Sequence, residues 1–143
     1  MEAEKLLTEA QVGRLGVSCR DEPYVMPLNF VYYGGKIYFH CAAEGKKLQY
    51  IAINHRVCFE VSDFIGIREG EQPCQFGTYY RSVIVFGEAR IVEKAEEKTA
   101  ALIMIFEKYG KESVKPIFAE REIEHVIVVE ITVKKLTGKQ RLP

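Results

Sequence analysis

The fold of this chain is decided by residues 23–48, which read PYVMPLNFVYYGGKIYFHCAAEGKKL. Gly34 and Gly35 separate two β-rich runs in this stretch, and a two-residue glycine loop supplies the positive φ angles that a tight hairpin turn requires. After Cys41 the periodicity changes, because apolar residues from Leu48 onward recur at the spacing of a helix. The stretch therefore predicts a β-hairpin followed by a helix of about two to three turns.

Further β-rich runs lie on both sides of this hairpin. They cover residues 14–20, 56–64, 79–93 and 125–136. The run 79–93 is longer than an average strand, and Gly87 near its middle indicates a bend or bulge of the kind that curls a sheet into a barrel. The pattern predicts a mainly β fold for all 143 residues, a single domain built as an antiparallel barrel of about six strands with helices packed outside it.

Other segments carry helix or turn signals. Thr8 and Gln11 have the spacing of a capping box, which predicts a short helix running into Gly13. Residues 95–110 give the clearest helix pattern, with acidic residues at the start and a glycine stop. The pattern of residues 111–122 is compatible with either a loop or one more helical turn interrupted by a proline. The pattern also predicts a loop over residues 66–73 and a turn at Thr137-Gly138.

The charge balance and the apolar runs exclude several classes of protein. Lys and Arg number 20, Asp and Glu number 20, and the formal net charge is +0. A chain without surplus cations does not suit nucleic acid or anionic lipid, although a local basic pocket for one small anion is compatible with it. The longest apolar runs are strand-sized, so no membrane span is expected. The acidic start lacks a secretory signal and the four cysteines form no CxxC pair, so a cytoplasmic protein with reduced thiols is expected.

The junction between the hairpin and the following helix is the first candidate site. It places His40, a loop of small residues, Lys46 and Lys47 within ten positions. Exposed N–H groups at a helix start favour an anion, and two adjacent lysines add positive charge there. The residues leave two interpretations open, a phosphate site or a pair of solvated first-turn lysines. A single strand histidine such as His40 is more often structural than catalytic.

Arg81 and Ser82 form the second candidate, next to two tyrosines at the start of the long run. Arginine and serine commonly bind phosphate or carboxylate, although a strand arginine is more often a surface charge. His55 and Cys58 are three positions apart without further ligands nearby, so no zinc site is expected. The chain contains no GxGxxG, GxxxxGK[ST] or GxSxG motif, and nothing supports Rossmann, P-loop or hydrolase chemistry.

Four segments, in this order and spacing, carry a resemblance to a known family. They are GRLGVS (13–18), the stretch 23–48, NHRVCFEV (54–61) and YYRSVIVFGEARIVE (79–93). Together they resemble the pyridoxamine 5′-phosphate oxidase-like superfamily of FMN-binding split barrels, and most closely its 5-nitroimidazole-resistance branch. The resemblance implies a six-stranded Greek-key split barrel. It also implies a homodimer with FMN at the subunit interface, held between strands of one barrel and residues of the partner.

The same resemblance implies a set of cofactor-binding residues. They are Met26, Pro27, Leu28, Asn29, His40, Cys41, Lys46, Lys47, Arg81 and Ser82. The first four would run beside the isoalloxazine and offer backbone groups to its polar edge. His40 and Cys41 would touch the flavin or its phosphate tail, and the two lysines would bind the phosphate. The serine, with its neighbouring arginine, would contact the flavin from the long strand.

The chain also departs from the vitamin-oxidising members of that superfamily. Those proteins carry a basic residue early in the second strand and a C-terminal set of Trp, Arg and His. Here the second strand reads YVMPLNF, the Trp count is 0, and no histidine follows His125. Vitamin B6 oxidation is therefore not expected.

The resemblance instead implies a flavin-dependent reductase of small electron-poor substrates, including nitroaromatic ones, supplied with electrons by a reduced nicotinamide or another donor. His40 is the candidate proton donor, because histidine can exchange protons near neutral pH. The alternatives are a non-catalytic carrier of flavin or haem, a deazaflavin in place of FMN, and a structural dimerisation module without cofactor.

Overall fold

The computed structural model describes residues 2–112, 114 and 116–143. Its strands are β1 (Gly13–Cys19), β2 (Glu22–Leu28), β3 (Val31–Tyr33), β4 (Lys36–Cys41), β5 (Arg56–Arg68), β6 (Gly77–Ile91) and β7 (Ile127–Arg141). Its helices are α1 (Ala3–Glu9), α2 (Lys46–Ile53), α3 (Ala95–Tyr109) and α4 (Glu120–His125), with a short 3-10 helix at Pro73–Gln75. The mainly β fold is confirmed, and so are the helices expected after the hairpin and over residues 95–110.

The strands form one antiparallel sheet in the order β2-β1-β5-β6-β7-β4-β3. The hairpin at Gly34-Gly35 is confirmed, with φ angles of +59° and +77° between β3 and β4. The expectation of six strands is wrong, because the sheet has seven. The single strand predicted before the hairpin is divided at Asn29 and Phe30 into β2, which pairs with β1, and β3, which pairs with β4.

Contacts from α3 explain the division at Phe30. The Phe30 side chain is fully buried and packs edge-on against Phe59, with ring centroids 4.7 Å apart. Its backbone N–H donates to the Tyr109 hydroxyl at 3.0 Å, and its carbonyl accepts from the Lys108 ammonium at 2.9 Å. Both backbone groups of Phe30 are therefore satisfied by side chains instead of by a neighbouring strand.

The sheet is curled but not closed into a barrel. Its edge strands β2 and β3 do not pair with each other, although only Asn29 and Phe30 separate them in the chain. The three Cα steps from Leu28 to Val31 span at most about 11 Å. The two edges of the sheet therefore flank a narrow opening between β2 and the β3–β4 hairpin, which we call the split.

The main hydrophobic core fills the inside of the curled sheet. Its fully buried members include Leu15, Phe39, Phe59, Val85 and Ile131. A second, smaller cluster lies where α3 packs against β4 and β7, and it includes Val92, Ala101, Leu102 and Val128. The alternation of Val128 and Val129 between these clusters shows that β7 is covered on both faces.

The helix predicted from Thr8 and Gln11 is wrong. The N-terminal helix ends at Glu9, and Gly13 already begins β1. Thr8 lies inside this helix, where its hydroxyl donates to the Glu4 carbonyl at 2.8 Å instead of capping a helix start.

Two other local predictions are also wrong. The predicted loop over residues 66–73 is extended up to Arg68, which pairs with Gly77. The predicted turn at Thr137-Gly138 is absent, because these residues pair with β6 and strand β7 continues to Arg141. In the segment 111–122, Ser113 and Lys115 lie outside the described residues, and helix begins only at Glu120. None of the helices that the structure describes has both the length and the apolar character needed to cross a bilayer.

Gly87 marks the shift of register between β6 and β7, which confirms the predicted bulge. A Cβ at this position would lie 2.5 Å from the Thr132 carbonyl oxygen and 2.8 Å from the Ile131 side chain. We therefore expect Gly87→Ala to lower the free energy of unfolding, measured by urea titration, by about 1–3 kcal/mol. Gly77→Ala in the same strand is the matched control, because nothing lies within 4 Å of its added Cβ. Equal losses of stability in the two variants would contradict this account of the bulge.

Candidate functional site

Two free strand edges border the split. Within the described chain strand β2 pairs only with β1, so its outer edge has no strand partner. Pro27 pairs with Arg14 but has no N–H, so Met26 and Leu28 bond to β1, and the free backbone groups of the outer edge belong to Val25 and Pro27. Strand β3 covers β4 only as far as Tyr38, which leaves His40 and Cys41 with one free edge. Unpaired N–H and C=O groups of this kind can bind the polar edge of a ligand.

The side chains along β2 divide between the core and the exterior. Met26 is buried at 8% exposure and Leu28 is half-buried against the core, whereas Pro27 and Asn29 are exposed. Of the four residues predicted to lie beside a flavin, Met26 therefore directs its side chain to the core and its backbone groups to β1. Asn29 can contribute its side-chain amide.

The start of α2 lies beside both strands. Lys46 is exposed, and its Nζ is 4.8 Å from the centroid of the Tyr24 ring on β2 and 5.6 Å from that of Tyr50. Lys47 is half-buried, and its positive charge reaches Cys41 at the end of β4. Burial raises the pKa of the Cys41 thiol, and the charge of Lys47 opposes that rise. The first turn of α2 is thus positioned between β2 and β4, as the grouping of these residues in the sequence predicts.

The positive charge at this helix start is not neutralised by a carboxylate of the described residues. Within the described part of the chain, neither Lys46 nor Lys47 forms an ion pair with a carboxylate. The first turn of α2 contains no acidic residue, and no side chain caps the helix at Gly45. Two cations and unsatisfied helix N–H groups together form a site for an anion such as a phosphate.

Arg81 and Ser82 lie elsewhere on the sheet. Arg81 donates to Asp63 at 2.7 Å, and the Ser82 hydroxyl lies 3.5 Å from the Lys139 carbonyl oxygen. Strand β6 is three positions from β2 in the sheet order, which corresponds to about 14 Å at the usual strand spacing. No contact among the described residues joins Arg81 or Ser82 to Lys46 or Lys47.

His40 and Asn29 share a cavity outside the sheet. This cavity has a volume of about 420 Å³ and lies between β4, α3 and the region of α4, with both residues among its lining. His40 is exposed, because it alternates with the buried Phe39 along β4 and points away from the core. A second, larger groove of about 920 Å³ runs over the outer face of the sheet and is lined partly by Val25, Cys58 and Phe86.

The local pattern around Lys108 and Tyr109 predicts only the end of a helix, but both side chains bind backbone groups near the split. Lys108 Nζ donates to the carbonyls of Ala10 and Phe30 at 2.6 and 2.9 Å and lies 3.8 Å from the centroid of the Phe30 ring. Burial lowers the pKa of Lys108 to about 8. The Tyr109 hydroxyl is 2.8 Å from the Gln11 carbonyl. These contacts fix the segment that crosses the split, and their partners are too distant in sequence for any local pattern to reveal them.

Known proteins show the same family and fold. The family model described as pyridoxamine 5′-phosphate oxidase matches residues 1–140. A solved structure of a candidate 5-nitroimidazole antibiotic resistance protein from Bacteroides thetaiotaomicron VPI-5482 is 28% identical, with a TM-score of 0.80 over 95% of this chain and 80% of that chain. A candidate pyridoxamine 5′-phosphate oxidase from Corynebacterium glutamicum is also 28% identical, with a TM-score of 0.64 over 96% of this chain and 85% of that chain.

More distant structures share the fold alone. The FAD and heme binding protein from Mycobacterium smegmatis is 15% identical, with a TM-score of 0.87 over 96% of this chain and 69% of that chain. No curated protein matches the chain. The resemblance expected from the motifs, including that to the 5-nitroimidazole-resistance branch, is confirmed. The chain belongs to the pyridoxamine 5′-phosphate oxidase family.

Proposed function

We propose that the chain is an FMN-binding flavoprotein, with the FMN phosphate at the start of α2 and the isoalloxazine at the split. The observation that carries this proposal is the pair Lys46 and Lys47, which lies without ion-pair partners in the described chain beside the free edges of β2 and β4. A phosphate needs positive charge and N–H donors, and both are present there. The family match supports a cofactor of this kind.

The free edges suit the ring system of the flavin. The free backbone groups of Val25 and Pro27 on β2 would bind its polar edge, while His40 and Cys41 would approach from β4. A mostly apolar slot with a few convergent polar groups is the usual form of a cofactor site. When bound, FMN supplies the redox chemistry, accepting electrons from a reduced donor and passing them to an acceptor.

The position of Arg81 and Ser82 favours a homodimer. These residues lie too far along the sheet to contact the flavin of their own chain, so they would contact the flavin of a second copy. The outer groove of about 920 Å³ and the exposed apolar side chains of Val25, Phe86 and Phe64 provide a surface for that copy. Sedimentation equilibrium of the FMN-loaded protein should give twice the chain mass of 16.4 kDa.

The activity that we propose is reduction of small electron-poor substrates, such as nitroaromatic molecules. The similarity to a candidate 5-nitroimidazole antibiotic resistance protein supports this substrate class. His40 would donate a proton to the substrate, because it is exposed at the cavity and lies on the free edge of β4 next to the proposed flavin site.

We expect His40→Ala to lower the turnover number by about 100-fold while the protein still binds FMN, because loss of a proton donor affects the chemical step. The measurement is steady-state oxidation of NADPH with 2-methyl-5-nitroimidazole as acceptor, together with an FMN titration. His55→Ala is the control, because His55 is also exposed but does not line the cavity. Unchanged turnover in His40→Ala would remove this residue from the mechanism.

The visible absorption spectrum of the purified chain tests the proposed function directly. Flavin bands that persist through gel filtration, together with NADH or NADPH oxidation above that of free FMN, are the expected result. Flavin bands without such oxidation would indicate a carrier, and a Soret band would indicate haem. A colourless protein that fails to bind added FMN would overturn the proposal.

A further inference from the structure

The cavity of about 420 Å³ beside His40 has apolar walls and a carboxylate that play no part in the proposed flavin site. Its walls are apolar and come from Leu102, Ile105 and Phe106 of α3 and from Phe118 and Val126 on either side of α4. Ligand sites for small molecules span roughly 300–1,000 Å³. The volume of this cavity therefore fits a molecule with one or two rings and is too small for a dinucleotide.

The rim of the cavity is polar and carries one formal negative charge. Asn29, His40 and Glu122 line it, and all three are exposed. The Glu122 Oε1 atom accepts from the Ala119 N–H at 3.2 Å, and no cation of the described residues pairs with this carboxylate. If a ligand placed its ring inside the cavity, the outer end of the ligand would lie near the Glu122 carboxylate.

Two aromatic rings strengthen the preference for a cation. Phe106 and Phe118 meet edge to face, with centroids 6.5 Å apart and planes at 86°. Aromatic faces attract ammonium groups as well as other rings. An ammonium group near Glu122 would therefore gain from the carboxylate and from the rings, whereas a carboxylate group would be repelled.

We propose that this cavity binds a small single-ring aromatic molecule that carries an ammonium group, with the ring between α3 and α4 and the ammonium at Glu122. The binding involves no covalent step and does not depend on the flavin. It adds a second ligand site to the chain, adjacent to the proposed proton donor His40.

Three probes of similar size but different charge test the proposal: benzylamine, benzyl alcohol and benzoate. Calorimetric titration of the full chain at pH 7 should show benzylamine binding at least about tenfold more tightly than benzoate, because a hydrogen bond to a charged group is worth that much. Glu122→Gln should remove this preference and leave benzyl alcohol binding unchanged. Glu124→Gln is the matched control, because it removes the same charge from the same helix but lies outside the cavity lining.

A second variant tests the place of binding. Leu102→Phe fills the cavity and should abolish binding of all three probes, provided that circular dichroism and urea unfolding show a folded chain. Benzoate binding as tightly as benzylamine, or equal effects of Glu122→Gln and Glu124→Gln, would overturn the proposal. FMN titration of the same proteins separates the two proposals: if FMN binds and benzylamine does not, the cavity proposal fails and the flavoprotein proposal stands.

Discussion

Replacing Lys46 and Lys47 together with glutamine should weaken FMN binding by at least about 100-fold, because each charge-assisted hydrogen bond to a phosphate contributes about 1.5–3 kcal/mol. The two lysines lie beside β2 and β4 and have no carboxylate partner in the described chain, so their charge is available to the ligand. Fluorescence quenching of FMN during titration with the protein measures the effect.

Riboflavin provides the decisive comparison, because it has the same ring system but no phosphate. Its affinity should be equal in the wild-type chain and in the double variant. Lys5→Gln combined with Lys94→Gln is the matched control, since both lysines are exposed and the change of net charge is the same. If riboflavin lost as much affinity as FMN, the phosphate would not lie at the start of α2.

Replacing Glu130 with alanine should lower the free energy of unfolding by about 1–3 kcal/mol, since the charge-assisted hydrogen bonds of a buried carboxylate are lost while Arg90 and Lys36 are partly exposed and become hydrated. The Glu130 carboxylate is 5% exposed and accepts from Arg90 through two bonds of 2.9 and 3.0 Å. Lys36 Nζ lies 3.3 Å from the same carboxylate. Urea unfolding at pH 7 measures the loss. Glu88→Ala is the control, because Glu88 and Lys134 form an exposed pair at 4.0 Å that should contribute less than about 1 kcal/mol.

The ion pair of Glu130 also makes the free energy of unfolding depend on pH. Burial acts to raise the pKa of Glu130, but the hydrogen bonds from Arg90 and Lys36 outweigh burial and lower it below the usual value. A carboxyl group with a lowered pKa in the folded state stabilises the fold above its unfolded pKa, and this stability is lost as the pH falls through the folded pKa. The difference in stability between the wild-type chain and Glu130→Ala should therefore be full at pH 7 and shrink below about pH 4. A difference that stays constant down to pH 3 would contradict this role of the carboxylate.

Local patterns were sufficient for most of the fold. The glycine pair at 34–35, the helical periodicity after Cys41 and the bulge at Gly87 each depend on neighbouring residues, and the structure confirms all three. The seventh strand was missed because the break at Phe30 depends on Lys108 and Tyr109, which lie 78 and 79 positions away. No periodicity within residues 24–33 contains that information.

In the candidate site, too, some features depend on neighbouring residues and others on contacts between distant segments. Only residues 42–45 separate Lys46 and Lys47 from the end of β4, so the sequence alone places them near His40 and Cys41. The distance of Arg81 and Ser82 from that group depends on the order of strands in the sheet, which inserts β1 and β5 between β2 and β6. Pairing order is decided by contacts between distant segments, and a single sequence does not state it.

The link at Asn29 and Phe30 connects α3 to the split. Only these two residues join the edge strands, and the last turn of α3 holds the Phe30 backbone through Lys108 and Tyr109. The same turn forms part of the wall of the smaller cavity through Tyr109 and Gly110. Helix α3 therefore contributes to both openings, and Asn29 belongs to both because it joins β2 to Phe30 and also lines the cavity. We expect a substitution in the last turn of α3 to affect the two openings together.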